Sequence, residues 1–75
     1  MSYIPKPDNC FLNGMKKYNV IDDRQVYISG RLLYCWDEFH GEIEVFDRRG
    51  HHLGVLDAIT GEKIKPLRKE RRLNV

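Results

Sequence analysis

From Leu32 to Asp57 apolar and polar residues alternate, and short clusters of Gly, Asp and charged residues interrupt the alternation. Alternation places successive side chains on opposite faces of a strand, and directly opposed residues of an antiparallel pair share a face. A turn centred between Phe39 and His40 sets Asp37 opposite Glu42, Trp36 opposite Ile43 and Cys35 opposite Glu44. One face then collects Leu32, Tyr34, Trp36, Ile43 and Val45. The other collects Cys35, Asp37, Glu42 and Glu44. A one-residue slip would mix the two sets, so the pattern selects this register.

The spacing predicts two more hairpins. Arg48-Arg49-Gly50 fits a three-residue loop with Gly at a positive φ. With Asp47 opposite His51, Leu53 and Val55 join the apolar face, while His52 and Gly54 join the acidic one. Ala58-Ile59-Thr60-Gly61 supplies a third turn, with Asp57 paired to Glu62. One row across the polar face then reads Cys35, Glu44, Gly54, Lys65, with Gly54 as a gap beside Glu44. Upstream, Gln25 to Ser29 alternates as an opening strand, and Asp22-Asp23 is a turn. Asn9 to Val20 predicts a short helix, capped by Asp8 or Asn9, whose Phe11, Leu12 and Met15 cover the apolar face. Pro66 ends the last strand. The expected class is α+β, mostly β: a short N-terminal helix packed on an antiparallel sheet of about four to six strands.

Composition narrows the picture. The 75 residues make one expected domain: a lead-in over 1–29, the central sheet over 30–66 and a basic tail over 67–75. Hydrophobic residues are 41% and charged residues 32%, which fits a small globule better than a disordered tail. No apolar run is long enough to span a membrane, and Pro5, Lys6, Pro7 and Asp8 stand where a secretory leader needs an apolar core. Cys10 and Cys35 do not make a disulfide framework, and reduced thiols are expected. The net charge of +2 is unevenly placed: Lys63, Lys65, Arg68, Lys69, Arg71 and Arg72 crowd the end of the chain against Glu70. A basic tail beside an acidic face suits a polyanion held near carboxylates, or a solvated end.

No phosphate loop, dinucleotide fingerprint, nucleophile elbow or metal-ligand spacing is present, so no cofactor and no metal are expected. What remains is Asp37, His40, Glu42, Glu44, His52, Lys65 and the tail arginines. Carboxylate, imidazole and cation are the groups that metal-free RNA transesterification needs: a base for the 2′-hydroxyl, an acid for the leaving 5′-oxygen and a positive charge for the phosphorane. The same residues also fit a non-catalytic RNA- or ribosome-binding β module, or a module that docks an acidic protein. Phe46 could be core or a stacking platform.

A family resemblance weighs on that choice. Tyr34-x-Trp36-Asp37-x-x-His40-Gly41-Glu42-x-Glu44, followed by Gly50-x-His52-Leu53-Gly54-x-x-Asp57-x-x-Thr60-Gly61-x-x-x-Lys65, resembles the C-terminal cytotoxic ribonuclease domain of cloacin and the ribosome-cleaving colicins. The likeness covers about Gly30 to Arg72. Cys35 stands where the bacteriocins have an acid, and the segment up to Ser29 has no evident counterpart. The resemblance implies a strongly twisted sheet and cleavage of small-subunit (16S) ribosomal RNA at the decoding site, which stops translation. It implies Asp37, His40, Glu44 and Arg71 as catalytic residues, with Arg72 the alternative arginine. It implies supporting or RNA-binding roles for Glu42, His52 and Lys65, to which the basic and aromatic character of Lys63, Arg72 and Phe46 adds those residues. The implied partners are the ribosome and an acidic immunity protein, with no membrane. The implied site of action is the bacterial cytoplasm, reached as a free toxin or as the C-terminal part of a larger secreted one.

Overall fold

The computed structural model describes residues 3–75. Six strands form one antiparallel sheet whose order follows the chain: β1 (Lys16–Ile21), β2 (Arg24–Ser29), β3 (Leu32–Asp37), β4 (Glu42–Asp47), β5 (His52–Leu56) and β6 (Lys63–Lys65). Each strand alternates or is β-branched enough to lie on a pleated sheet, and each loop has the residues its geometry needs. Asp22 and Asp23 take φ of 52° and 63°, the double positive of a type I′ hairpin turn, which short polar side chains tolerate. Gly50, at φ 89°, closes the Arg48-Arg49-Gly50 loop. Among the described residues no helix is long and apolar enough to cross a membrane.

The helix expected over Asn9–Val20 does not form. Residues 8–14 make successive turns, with Cys10 N–H donating to Pro7, Asn13 N–H to Cys10 and Met15 N–H to Leu12 carbonyls. Gly14 at φ 87° then turns the chain into β1, where Lys16 to Ile21 pair with β2. Pairing with β2 satisfies the backbone that a helix would have satisfied internally, and Gly14 removes what was a weak helix anyway. Cys10 and Leu12 are still buried, with Ile43, Met15, Tyr27, Tyr34 and Trp36. The segment therefore covers the expected face, but as turns.

The β3–β4 register is the one the alternation predicts: Asp37↔Glu42, Trp36↔Ile43 and Cys35↔Glu44. The neighbouring ladders shift. Val45 pairs with Gly54 but Phe46 with His52, leaving Leu53 extra, and Val55 pairs with Lys65 but Leu56 with Lys63, leaving Ile64 extra. Each extra residue is a bulge that reverses the alternation beyond it. The row through the sheet is therefore Val26, Cys35, Glu44, Val55, Lys65. Val55, not Gly54, lies beside Glu44, so the expected gap is not there.

The faces also differ from the simple apolar and acidic pair. The face carrying Glu44 has its own core of Val26, Leu33, Cys35 and Phe46, closed by Ile21 and by Leu73. Leu73 N–H donates to the Gly50 carbonyl at 2.8 Å, and Arg72 bridges to His51. The basic tail is thus a strap over this face, held by a leucine whose burial is worth roughly 1.5–3 kcal/mol. Cys10 and Cys35 are free and belong to the clusters on opposite faces, which keeps the thiols apart. Burial raises the Cys35 thiol to about 12, so it packs as a small apolar side chain.

Candidate active site

The site begins with a loop. The Asp37 carboxylate caps the β3–β4 turn: Oδ1 accepts from the Phe39 and His40 amides at 2.9 and 3.3 Å, and Oδ2 lies 2.7 Å from His40 Nδ1. Gly41, at φ 69°, donates its N–H to the Asp37 carbonyl at 2.8 Å. The same design recurs at Asp57, whose Oδ2 accepts from the Ile59 and Thr60 amides and from the Thr60 hydroxyl, with Gly61 N–H on the Asp57 carbonyl. An Asp that caps a turn of this length aims the side chain three positions on back at itself. His40 takes the place that Thr60 has in the second loop, so the Asp37–His40 pair is encoded locally.

Asp37 is buried while His40 is half exposed. Burial pushes the Asp37 carboxyl up, but the bonds from the His40 ring and the Phe39 amide, with the charge and amide of His40, outweigh it and leave the carboxyl below its usual value. An ionised carboxylate only accepts, so His40 Nδ1 is the donor and Nε2 is the nitrogen left for chemistry.

Glu44 lies in mid-strand on β4, 4% exposed. Its Oε1 accepts a hydrogen bond from Arg71 Nη1, and Arg24 Nη1 stands 3.6 Å from Oε2. Beneath it, His52 Nδ1 accepts the Arg68 N–H at 2.9 Å, so the ring proton is on Nε2. That nitrogen points at Glu44 Oε1 from 3.7 Å, too far for a hydrogen bond, and has no other partner. Burial lowers the His52 pKa despite the opposing charge of Glu44, which keeps the ring neutral. A buried carboxylate is tolerable here because two arginines from distant segments face it.

Asp37, His40, Glu44, Arg24 and Arg71 line one cleft of about 340 Å³. A second, of about 220 Å³, shares His40 and Arg71 with it and adds Glu42, Lys65 and Arg68. Lys65 Nζ is 2.8 Å from Glu42 Oε1, so these two form an ion pair on the rim. Lys63 is exposed on β6, beside Gly54. Arg72 lines the first cleft, and its Nη2 donates to the Arg49 carbonyl, so Arg71 is the arginine that reaches Glu44.

Two expected RNA contacts lie inside the protein instead. Phe46 is 2% exposed and packs edge-on against His52, with ring centroids 5.3 Å apart, which leaves it no free face for stacking a base. His52 itself is buried under Glu44. The bulge at Leu53 and the strap over this face put both below the surface. Arg24 is a site residue that the sequence reading missed, and Arg68, counted there only among the tail arginines, lines the second cleft. Arg24 was detectable: it is two residues before Val26 and shares the face of Cys35 and Glu44. Donor atoms of Asp37, His40 and Glu42 lie within 4.8 Å of one another, the one such group among the described residues that could hold a metal ion.

A family model described as Cytotoxic matches residues 4–74. No curated protein matches the chain. The match begins far upstream of Gly30, so it takes in most of the lead-in, for which the motif comparison offers no counterpart.

Proposed function

Because this chain belongs to the Cytotoxic family, we propose that it is a toxin ribonuclease that cuts small-subunit ribosomal RNA at the decoding site and so stops translation. The observation that supports this reading best is the meeting of the Asp37–His40 pair with the Glu44–Arg71–Arg24 group in one cleft. A protein that merely bound RNA would gain nothing from burying a carboxylate between arginines.

The step proposed is transesterification without a metal. Glu44 takes the proton of the ribose 2′-hydroxyl. Its Oε2 makes no hydrogen bond among the described residues, which leaves lone pairs for that proton. The 2′-oxygen attacks the adjacent phosphorus, and Arg71, with Arg24, faces the charge that builds on the phosphorane oxygens. The bond from phosphorus to the 5′-oxygen breaks, and His40, acting as the imidazolium with Nδ1–H held by Asp37, gives that oxygen the proton on Nε2 and is left neutral. The products are a 2′,3′-cyclic phosphate and a 5′-hydroxyl. Lys63, Lys65, Arg68 and Arg72 hold the RNA backbone around the cleft.

The partner expected in the producing cell is an acidic immunity protein that covers this basic side, with fast, salt-sensitive association. The toxin acts in the bacterial cytoplasm, alone or as the C-terminal part of a secreted protein. The test is to add the protein to intact ribosomes in EDTA and map the RNA ends. One cut in the decoding site, with the two end groups above and loss of cutting when the attacking 2′-hydroxyl is hydrogen, supports the reading. Cutting of the deoxy substrate refutes the mechanism. Activity that EDTA abolishes and a divalent ion restores makes Asp37, His40 and Glu42 a metal site instead. Binding without cutting leaves an RNA-binding module.

A further inference from the structure

The N-terminal arm lands on the loop that carries His40. Ile4 N–H donates to the Glu38 carbonyl at 2.8 Å, and the Trp36 indole N–H donates to the Ile4 carbonyl at 2.9 Å. The Ile4 side chain lies over Gly41, where an added Cβ would stand 3.2 Å from its Cδ1 and Cγ2. The Tyr3 ring meets Phe39 edge-to-face at 5.4 Å. These contacts reach positions 38, 39 and 41, on both sides of His40, which with Phe39 and Asp37 lines the cleft. Both Tyr3 and Ile4 remain largely exposed, so the contacts add little to the core. Asp37 fixes the loop from within through its carboxylate, but its bonds reach only the Phe39 and His40 amides and the His40 ring. Gly41 is tied to the Asp37 carbonyl, and the arm adds the bond to the Glu38 carbonyl and covers Gly41 from outside.

We propose that Tyr3, Ile4 and the Trp36 indole form a positioning clamp for the general acid. Without it the loop keeps its turn but samples orientations in which His40 Nε2 misses the leaving oxygen. A displacement of about 1 Å can cost on the order of 100-fold in rate. The inference rests on His40 being the acid, as proposed above.

The test separates loss of acid catalysis from loss of structure. A 5′-bridging phosphorothiolate at the cleavage site leaves as a thiolate and needs no proton. Ile4→Pro removes the donor to Glu38, Ile4→Ala uncovers Gly41, and Trp36→Phe removes the indole N–H while keeping a ring. On ordinary RNA each variant should lose about 10-fold to 100-fold in kcat with KM unchanged. On the thiolate substrate each should come within about 3-fold of the unmodified protein. Lys6→Ala, which frees the arm from Tyr27 but not from the loop, should match the unmodified protein on both substrates. Equal losses on both substrates, or no loss on either, overturn the clamp. A His40→Ala protein that the thiolate does not rescue removes His40 as the acid, and the clamp with it. A rescued His40→Ala beside unrescued arm variants removes the clamp alone. Melting temperatures of all variants confirm that each is folded.

Discussion

Glu44→Gln is the sharpest perturbation of the proposed chemistry, because it keeps the shape of the side chain and deletes the charge. Two large effects on stability oppose each other. The lost attraction to Arg24, 3.6 Å away, is about 4–5 kcal/mol at an effective dielectric of about 20, and Arg71 is closer still. Against this, a carboxylate that is 4% exposed no longer has to be stripped of water, which recovers several kcal/mol. Both arginine side chains are 36% exposed, so water solvates them once their partner is neutral. The Gln amide oxygen still accepts from Arg71. With the two effects opposed, the expected change is the roughly 1 kcal/mol common for single substitutions, or about 4–8 °C in melting temperature for a chain this short. Activity has no such compensation. A neutral amide takes no proton from the 2′-hydroxyl, and the loss should be roughly 10²–10⁴ in rate, about 3–5 kcal/mol of barrier. The assay is single-turnover cleavage of intact ribosomes, followed by primer extension, beside a thermal melt. Cleavage at near the unmodified rate would refute Glu44 as the base. A fall in melting temperature well beyond 8 °C would show that the charge is structural and that the rate loss is not chemical.

Gly50→Ala should displace the C-terminal strap, because the new Cβ would overlap the Leu73 carbonyl oxygen and Gly50 sits at φ 89°; Leu73→Ala should do so by losing about 2–3 kcal/mol of burial. Both should lower the melting temperature and, by unseating Arg71, lower cleavage more than the stability loss explains; unchanged kcat in a folded variant would contradict this. His52 is held neutral below its ordinary value of 6.5, so the unfolded chain takes up its proton first on acidification. Its stabilisation is full above about pH 6.5 and is lost as the pH falls from there, and His52→Gln should flatten melting temperature against pH below about 6.5. Asp37, lowered from 3.8, adds a further loss only below that value. Replacing Asp22-Asp23 by Asn-Gly, the preferred pair for two positive φ values, should stabilise by roughly 0.5–1 kcal/mol with no change in cleavage rate; an unchanged melt would mean that the aspartates carry no strain.

Sequence alone determined those parts of the protein whose causes lie within a few residues. The β3–β4 register follows from period-two alternation on either side of one turn, and it places Cys35, Trp36 and Asp37 opposite Glu44, Ile43 and Glu42. The Asp37–His40 pair follows from the capping habit of Asp in a loop closed by Gly, a habit the chain repeats at Asp57. The ordered motif from Tyr34 to Lys65 was enough for the family, which the match over 4–74 shows and extends. Tertiary structure decided the rest. The spacing of Phe11, Leu12 and Met15 is as compatible with turns that bury Leu12 as with a helix, and pairing of Lys16–Ile21 with β2 settled it. The extra residues at Leu53 and Ile64 reversed the alternation, moved Val55 beside Glu44 and left Gly54 on the other face; bulges have no compositional signature. Arg24, Arg71 and His52 surround Glu44 from three separate segments. A carboxylate on a polar-looking strand reads as solvated until the strap held by Leu73 closes over it, because burial depends on residues far away in the chain and only the folded sheet brings them near.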